Sequence, residues 1–216
     1  IDELAVISVI SKLRGGEKLV TEEEYVIFEA MIRSSNKITD LESAIEFAKT
    51  TAAKGTESLT GAASNIKGIA HELEYVKNEN EDGDTVFAFL PKDTSNPQFD
   101  VLTIDTLTGE QRWIQLKTTL NEEHVYSWFK KYPGSEGSIK VNEEMAAKLG
   151  LPSTGIVDKE LTINTNNFLN KLIEMDEGSV SQIIETSPPL TILAASFVVY
   201  ELFKKYQKKE ISKKKF

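Results

Sequence analysis

The stretch WIQLKTT, residues 113–119, places an amide and a lysine two positions apart with an apolar residue between them. Successive side chains of a β-strand point to opposite faces, so Gln115 and Lys117 share one face while Ile114 and Leu116 share the other. A strand with one polar face is common at a protein surface. The same pattern would serve catalysis if neighbouring elements supplied partner side chains of suitable chemistry.

The segment before this strand holds one such partner. FDVLTID, residues 99–105, alternates as a strand does, and TLTG, residues 106–109, predicts a tight hairpin connection. If those four residues form the loop, Asp100 falls opposite Gln115. That register puts Asp100, Gln115 and Lys117 on one face of the sheet, whereas a slip of one residue would send Asp100 to the other face.

A predicted helix before the strands supplies further acids. In the segment ASNIKGIAHELEYVKNEN, residues 63–80, the apolar residues recur at helical spacing, with Glu72 and Glu74 at the flank of the apolar stripe. Carboxylate and amide oxygens suit Mg²⁺. A metal would neutralise charge growing on a phosphate. A lysine beside it would orient water or stabilise an anionic transition state.

The element order over residues 63–141 is helix, three strands, helix and strand. With KGIAHELEYV, FDV and IQLKT in that order, the chain resembles the PD-(D/E)XK nuclease superfamily, which includes restriction endonucleases, junction resolvases and bacterial defence and toxin nucleases. The resemblance implies an α/β fold, with an αβββαβ restriction-endonuclease-like core around a mixed four-stranded sheet. Helical regions would flank this core on both sides.

The resemblance also implies roles for individual residues. Asp100 corresponds to the metal-binding aspartate of the family, Gln115 to the first position of its E/Q-x-K motif, and Lys117 to the motif lysine. The backbone carbonyl of Leu116 commonly adds a metal ligand, and the KGxxxE pattern selects Glu72 as the helix acid. The implied cofactor is Mg²⁺ or Mn²⁺, and the implied substrate is nucleic acid, with DNA expected.

Two departures from the family pattern leave two functions open. Pro97 precedes the aspartate by three positions where the family places a proline directly before it, and Gln115 replaces the commoner acid. The glutamine removes one negative charge from the implied metal site. The leading interpretation is a metal-dependent nuclease of a defence, phage or toxin system. The alternative is a nuclease-like fold without catalysis that acts as a binding or assembly module.

The sequence predicts three regions: helical residues 1–60, the nuclease-like core over residues 61–150, and helical residues 151–216. Thr21 and either Thr39 or Asp40 are predicted helix N-caps in the first region. Asn142 is the predicted N-cap of a helix that ends at Gly150. The helical flanks would be suited to binding a protein partner.

Composition narrows the chemistry further. The chain has no cysteine, which excludes disulfides and cysteine-ligated zinc, and its two histidines count against a histidine-rich metal site. Its net charge of -9 counts against a general nucleic-acid binder. The lysines concentrate in residues 204–216, after an apolar segment, residues 190–203, that predicts a helix buried in protein; a helix on an anionic membrane surface is the alternative. A cytoplasmic location is expected, with a secreted effector as the alternative.

Overall fold

The structure is a computed structural model that describes residues 21–91 and 98–175. The α-helices within these residues are α1 (Glu22–Ser34), α2 (Leu41–Ala53), α3 (Thr56–Glu81), α4 (Glu122–Lys131), α5 (Glu143–Leu149) and α6 (Asp158–Glu174). The strands are β1 (Val86–Phe89), β2 (Val101–Asp105), β3 (Gln111–Lys117) and β4 (Ile139–Val141). None of these helices is long and apolar enough to cross a membrane. The predicted helix over residues 190–203 and the lysine-rich residues 204–216 lie outside the described residues.

The chain divides into two compact units, each of which gathers residues from two stretches of sequence. Of the described residues, the helical unit holds 21–69 and 162–175, and the sheet unit holds 70–91 and 98–161. This division differs from the three consecutive regions expected from the sequence. The reason is that α3 begins at Thr56 and continues past the expected boundary at residue 60, while most of α6 belongs to the helical unit.

The helical unit begins with two helices whose N-termini are capped as the sequence predicts. The Thr21 hydroxyl accepts a hydrogen bond from the backbone N–H of Glu24, and the Glu24 carboxylate accepts one from the N–H of Thr21, at 3.2 and 3.0 Å. Asp40 and Ser43 make the same reciprocal pair at the start of α2. Each box satisfies donors that the helix itself leaves unpaired. Lys171 of α6 then donates to both carboxylate oxygens of Glu24 at 2.9 Å.

The sheet unit contains a mixed sheet with the strand order β1-β2-β3-β4. The first three strands are antiparallel neighbours, and β4 runs parallel to β3. Val101 aligns with Ile114, and the N–H of Asp105 donates to the carbonyl of Glu110 at 2.9 Å, which leaves residues 106–109 as the loop. The predicted hairpin register is therefore confirmed, and so is the coarse prediction of an α/β fold with a mixed four-stranded sheet.

Different helices cover the two faces of this sheet. Residues in register on neighbouring parallel strands point to the same side, so Gln115 shares a face with Ile139, while Leu116 shares the other with Lys140. Ile139 packs into a buried cluster with apolar residues of α4 and α5. Lys140 contacts α3 on the opposite face, where its Nζ lies 2.9 Å from the hydroxyl of Tyr75. The face that carries Gln115 is thus the face covered by α4 and α5.

The outer strand β1 is protected by a side chain from α3. The amide oxygen of Asn80 accepts a hydrogen bond from the N–H of Ala88 at 2.7 Å, and its amide nitrogen donates to the carbonyl of Ala88 at 3.0 Å. An edge strand otherwise presents unpaired backbone groups to any passing strand. Asn80 therefore satisfies both backbone groups of Ala88 in place of a further strand.

Candidate active site

The carboxylate of Asp100 lies against the end of β3. Asp100 immediately precedes β2, and its own N–H donates to the carbonyl of Ile114 at 3.0 Å, which fixes its backbone to β3. Its Oδ2 accepts the N–H of Leu116 at 2.8 Å and a hydrogen bond from the side-chain amide of Gln115. The structure therefore brings together two of the residues that the sequence placed opposite each other.

The amide nitrogen of Gln115 occupies the point on which the candidate metal ligands converge. Besides contacting Asp100, it donates to the carbonyl oxygen of Leu116 at 2.9 Å. One N–H₂ group, which carries partial positive charge, is thus held by a carboxylate oxygen and a backbone carbonyl oxygen. Gln115 is only 3% exposed, whereas Asp100 is half-buried, so the arrangement has a buried side at the amide and an accessible side at the carboxylate. Rotation of the amide would present its oxygen in place of its nitrogen.

Lys117 lies two residues further along β3, on the face of Gln115. Its side chain is half-buried, and within residues 21–91 and 98–175 its ammonium group makes no hydrogen bond or ion pair. An ammonium with unused donors, on the strand face that also carries the Gln115 amide, is suited to an anionic substrate group. Asp100 and Gln115 are in contact and Lys117 shares their side of β3, while the catalytic role of the three residues stays a prediction.

Glu72 lies on α3, half-buried in the sheet unit. Tyr75, one turn along, contacts Lys140 on the face opposite to Gln115. Glu72 would therefore have to approach Asp100 past the end of the strands, and its role as a metal ligand stays a prediction. The same helix places His71 in the core, 1% exposed, with Nε2 2.9 Å from the hydroxyl of Thr154.

Oxygen donors around the Gln115 amide fit a hard divalent cation. The Asp100 carboxylate and the Leu116 carbonyl already share one electropositive partner, and carboxylate and carbonyl oxygens are the ligands that Mg²⁺ and Mn²⁺ prefer. Within residues 21–91 and 98–175 no group of three or more His, Asp or Glu side chains is placed to hold a metal ion. The predicted site contains only two carboxylates, because Gln115 takes the place of the third.

A cation–π pair on the other face of the sheet was not predicted from the sequence. Lys140 lies 4.8 Å from the ring centroid of Tyr75, and its Nζ lies 3.6 Å from the carboxylate of Glu79. Burial, followed by the negative charge of Glu79, raises the pKa of the Tyr75 hydroxyl above its ordinary value. The i, i+4 spacing of Tyr75 and Glu79 on α3 was visible in the sequence, but the lysine that joins them lies 61 residues further along the chain than Glu79.

Trp113 shares the face of Gln115 and Lys117, two residues before the glutamine. Its side chain is 41% exposed, and its ring centroid lies 6.5 Å from that of Phe99, the neighbour of Asp100. Only part of the Trp113 side chain is therefore packed against other residues, although a tryptophan on a strand is usually a core residue. An exposed aromatic ring beside the candidate site is available for stacking.

Immediately after Lys117 the chain is held by two polar side chains of the next elements. Asn142, fully buried between β4 and α5, accepts the N–H of Thr119 through its side-chain oxygen at 2.9 Å. Its amide nitrogen donates to the carboxylate of Glu144 at 2.9 Å. Glu144 in turn accepts the N–H groups of Asp158 and Lys159 at the start of α6, at 2.9 and 3.1 Å.

The charge on Glu144 is stabilised by these hydrogen bonds. Burial acts to raise the pKa of this carboxyl, but the hydrogen bonds from the Asn142 side chain and from the backbone of Asp158 and Lys159 outweigh it and lower the pKa to about 2. A carboxyl whose pKa is lowered by folding stabilises the folded state above its ordinary pKa, and this contribution is lost as the pH falls toward 2.

We expect Glu144→Gln to lower the free energy of unfolding by about 2 kcal/mol at pH 7. The difference from wild type should shrink as the pH falls from about 4.5 to about 2, because the unfolded wild-type chain takes up a proton at Glu144 in that range before the folded protein does. Urea unfolding at a series of pH values measures it. Glu143→Gln, an equal charge change at the exposed neighbouring position, is the control for the change in charge, because it leaves the hydrogen bonds of Glu144 in place. Parallel curves for Glu144→Gln and wild type would contradict the assignment.

Comparison with known proteins found no matching family model, no matching curated protein and no matching solved structure.

Proposed function

We propose that this protein is a metal-dependent nuclease that hydrolyses phosphodiester bonds, with DNA as its substrate. The observation that supports the proposal most directly is the convergence of the Asp100 carboxylate and the Leu116 carbonyl on one point, occupied by the Gln115 amide. Lys117 lies on the same face of β3 as that amide. These are residues to which the resemblance to PD-(D/E)XK nucleases assigns catalytic roles, and they lie in a mixed four-stranded sheet.

Each residue has a role that follows from its chemistry. Asp100, the carbonyl of Leu116 and the amide oxygen of Gln115 would hold Mg²⁺ or Mn²⁺, which supplies positive charge to the scissile phosphate. Lys117 would donate a hydrogen bond to a phosphate oxygen or to the attacking water, where it stabilises the charge of the transition state. Glu72 would complete the metal ligands from α3. Burial of Gln115 and Leu116 keeps bulk water from competing for the amide and carbonyl oxygens, while half-buried Asp100 stays accessible to a metal ion.

A specific observation favours a second candidate function, a binding module without catalysis. The nitrogen of the Gln115 amide, rather than its oxygen, faces Asp100 and Leu116, so this side chain satisfies both candidate ligands without a metal. Gln115 also contributes no charge to offset that of a divalent cation. In this alternative the same surface would hold a partner without hydrolysing it.

The test is a nicking assay on supercoiled plasmid, with linear duplex DNA, single-stranded DNA and RNA as parallel substrates. The proposal expects cleavage of DNA by the wild-type chain in Mg²⁺ or Mn²⁺, none in EDTA, and none by Lys117→Ala. Arg112→Ala is the matched control, because it removes a positive charge from the exposed part of the same strand, where Arg112 pairs with Glu110. Its cleavage rate should stay within about twofold of wild type, since an exposed ion pair contributes little.

The outcomes separate the two candidates. Cleavage of RNA alone would correct the substrate and keep the reaction. Equal cleavage by wild type and Lys117→Ala would show a contaminating nuclease and remove the support for the proposal. Metal-dependent DNA binding without cleavage would favour the binding module.

A further inference from the structure

The chain leaves β3 through a pair of hydrogen bonds to one residue. The carbonyl of Lys117 accepts the backbone N–H of Asn142 at 3.0 Å, which continues the parallel ladder between β3 and β4. Two residues later, the N–H of Thr119 donates to the side-chain oxygen of Asn142 at 2.9 Å. The two bonds flank Thr118, so both sides of this peptide segment are tied to Asn142.

Thr119 bonds to the side chain of Asn142 because the backbone carbonyl of Asn142 is already used by the helix that follows. Asn142 is the first residue after β4 and stands at the N-cap position of α5, so its own carbonyl accepts the N–H of Ala146 at 2.9 Å. Its side-chain oxygen takes the position that a backbone carbonyl would have if β4 were longer. The two residues that follow β3 are thereby held against Asn142 after the paired part of the two strands has ended.

Neighbouring contacts keep this arrangement in place. Asn142 is 0% exposed, and its amide nitrogen is held by Glu144 at 2.9 Å. The hydroxyl of Thr118 donates to the carboxylate of Asp158 at 2.7 Å. Since the amide group of Asn142 is anchored by Glu144, its oxygen is directed at Thr119 without a choice of rotamer.

We propose that Asn142 is a positioning residue for Lys117. It acts through the backbone, by fixing the end of β3 and with it the direction in which the Lys117 side chain leaves the strand face that it shares with Gln115. The expected loss of kcat rests on the proposed nuclease function. The expected change in the position of Lys117 rests on the hydrogen bonds alone. Asn142 itself contacts neither Asp100 nor Gln115 by any hydrogen bond within the described residues.

Two substitutions at this position separate positioning from stability. Asn142→Ala removes the acceptor of the Thr119 N–H and loosens residues 118–119, so that the backbone bond at Lys117 becomes the last tie of the chain to Asn142. Asn142→Asp keeps that acceptor but replaces the donor to Glu144 by a second carboxylate, so it should lower the melting temperature without loosening residues 118–119. Asn80→Ala is the control for loss of a half-buried amide elsewhere in the sheet unit, since Asn80 bonds only to Ala88 among the hydrogen bonds described.

The expected results are a kcat about 100-fold lower for Asn142→Ala, with KM and Mn²⁺ affinity within about twofold of wild type, because a misplaced catalytic group affects the transition state alone. Asn142→Asp and Asn80→Ala should keep kcat within about threefold of wild type at temperatures where each is folded. A kcat that follows the melting temperature across the three variants would overturn the inference and leave Asn142 with a purely structural role.

An NMR measurement decides the question independently of nuclease activity. The ¹³Cε and ¹⁵Nζ resonances of Lys117, identified by their absence in Lys117→Ala, should shift in Asn142→Ala and stay at the wild-type position in Asn142→Asp and Asn80→Ala. If wild type cleaves nothing, the proposed function fails while this comparison still tests the positioning. An unshifted Lys117 signal in Asn142→Ala would overturn the inference even if the wild-type protein is a nuclease.

Discussion

Asp100→Ala is expected to abolish both divalent-metal binding and DNA cleavage. Its carboxylate is the charged group that touches the Gln115 amide and the backbone of Leu116, where the candidate ligands converge. A bound metal contributes several kcal/mol of charge stabilisation to a phosphoryl transition state, so its loss should lower the cleavage rate at least about 10³-fold. Calorimetric titration with Mn²⁺ and the plasmid assay measure the two effects.

Two further variants distinguish a loss of stability in Asp100→Ala from a loss of metal binding. Asp100→Ala leaves the N–H of Leu116 without its acceptor, which should lower the free energy of unfolding by about 1–3 kcal/mol. Asp100→Asn keeps an oxygen for that N–H and removes only the charge, so it should fold like wild type and still fail to bind Mn²⁺. Asp105→Ala at the other end of β2, whose carboxylate caps the hairpin turn, should bind Mn²⁺ normally.

Lys117→Ala completes the comparison, because it should abolish cleavage and leave the Mn²⁺ affinity nearly intact. An ammonium repels a cation, so its removal cannot weaken metal binding by charge. Equal Mn²⁺ affinity in wild type and Asp100→Ala would remove the metal-site hypothesis, and the protein would then be better described as a binding module.

Gln115→Glu is expected to make folding depend on pH and on divalent metal. The new carboxylate would lie in a buried position against the carboxylate of Asp100 and the carbonyl of Leu116, where the wild-type amide donates to both. Two carboxylates that share a buried site cannot both ionise at low cost, so the pKa of the pair should rise above that of the unfolded chain.

The sign of the pH dependence follows from that rise. Below the unfolded pKa, about 4, both states are protonated and Gln115→Glu should be close to wild type in stability. As the pH increases from about 4 through the raised pKa of the pair, the unfolded chain releases its proton first and stability falls. At pH 7 the free energy of unfolding should be about 3 kcal/mol below wild type.

Divalent cation should reverse this destabilisation. Mn²⁺ between the carboxylates replaces their repulsion by attraction, and saturation to about 100 times its dissociation constant would return about 2.7 kcal/mol. Wild type should gain less, because Gln115 contributes no charge. The cleavage rate should be equal to or above that of wild type. Thermal unfolding with and without Mn²⁺ at several pH values provides the measurement.

Gln111→Glu is the matched control, since it adds the same charge on the same face of β3 at an exposed position. It should show neither the pH dependence nor the Mn²⁺ response. If Gln115→Glu behaves like Gln111→Glu, the side chain at position 115 does not share a site with Asp100 in solution, and the geometry on which the proposed function rests is wrong.

The hairpin register was predictable from the sequence. A four-residue loop over residues 106–109 determines how the two strands that it joins are paired, and that pairing puts Asp100 opposite Gln115. The caps at Thr21 and Asp40 were predictable for a similar reason, since each bonds a backbone group three residues away. In these cases the partners are so close along the chain that local backbone geometry brings them together.

The hydrogen bonds of the Asn142 side chain could not be predicted from the residues around it in the sequence. The sequence predicts it as the N-cap of α5, and it occupies that position, but its side chain makes no capping hydrogen bond. Its oxygen is taken by Thr119, and its nitrogen by Glu144, which also receives the start of α6. The N-terminus of α5 and the segment after β3 compete for the Asn142 side-chain oxygen. Which of them binds it depends on how closely β3 and β4 pack, and the residues next to Asn142 in the sequence do not determine that packing.

The faces of the sheet were decided by tertiary structure as well. The sequence placed Gln115 and Lys117 on one face and Glu72 on a preceding helix, but it did not determine which face that helix would cover. Packing of α4 and α5 on the Gln115 face leaves α3, with Tyr75, on the other. Alternation along a strand determines which side chains share a face, because alternation follows from backbone geometry alone. Which helix covers that face depends on how apolar surface is buried across the whole unit, and only the folded chain determines this.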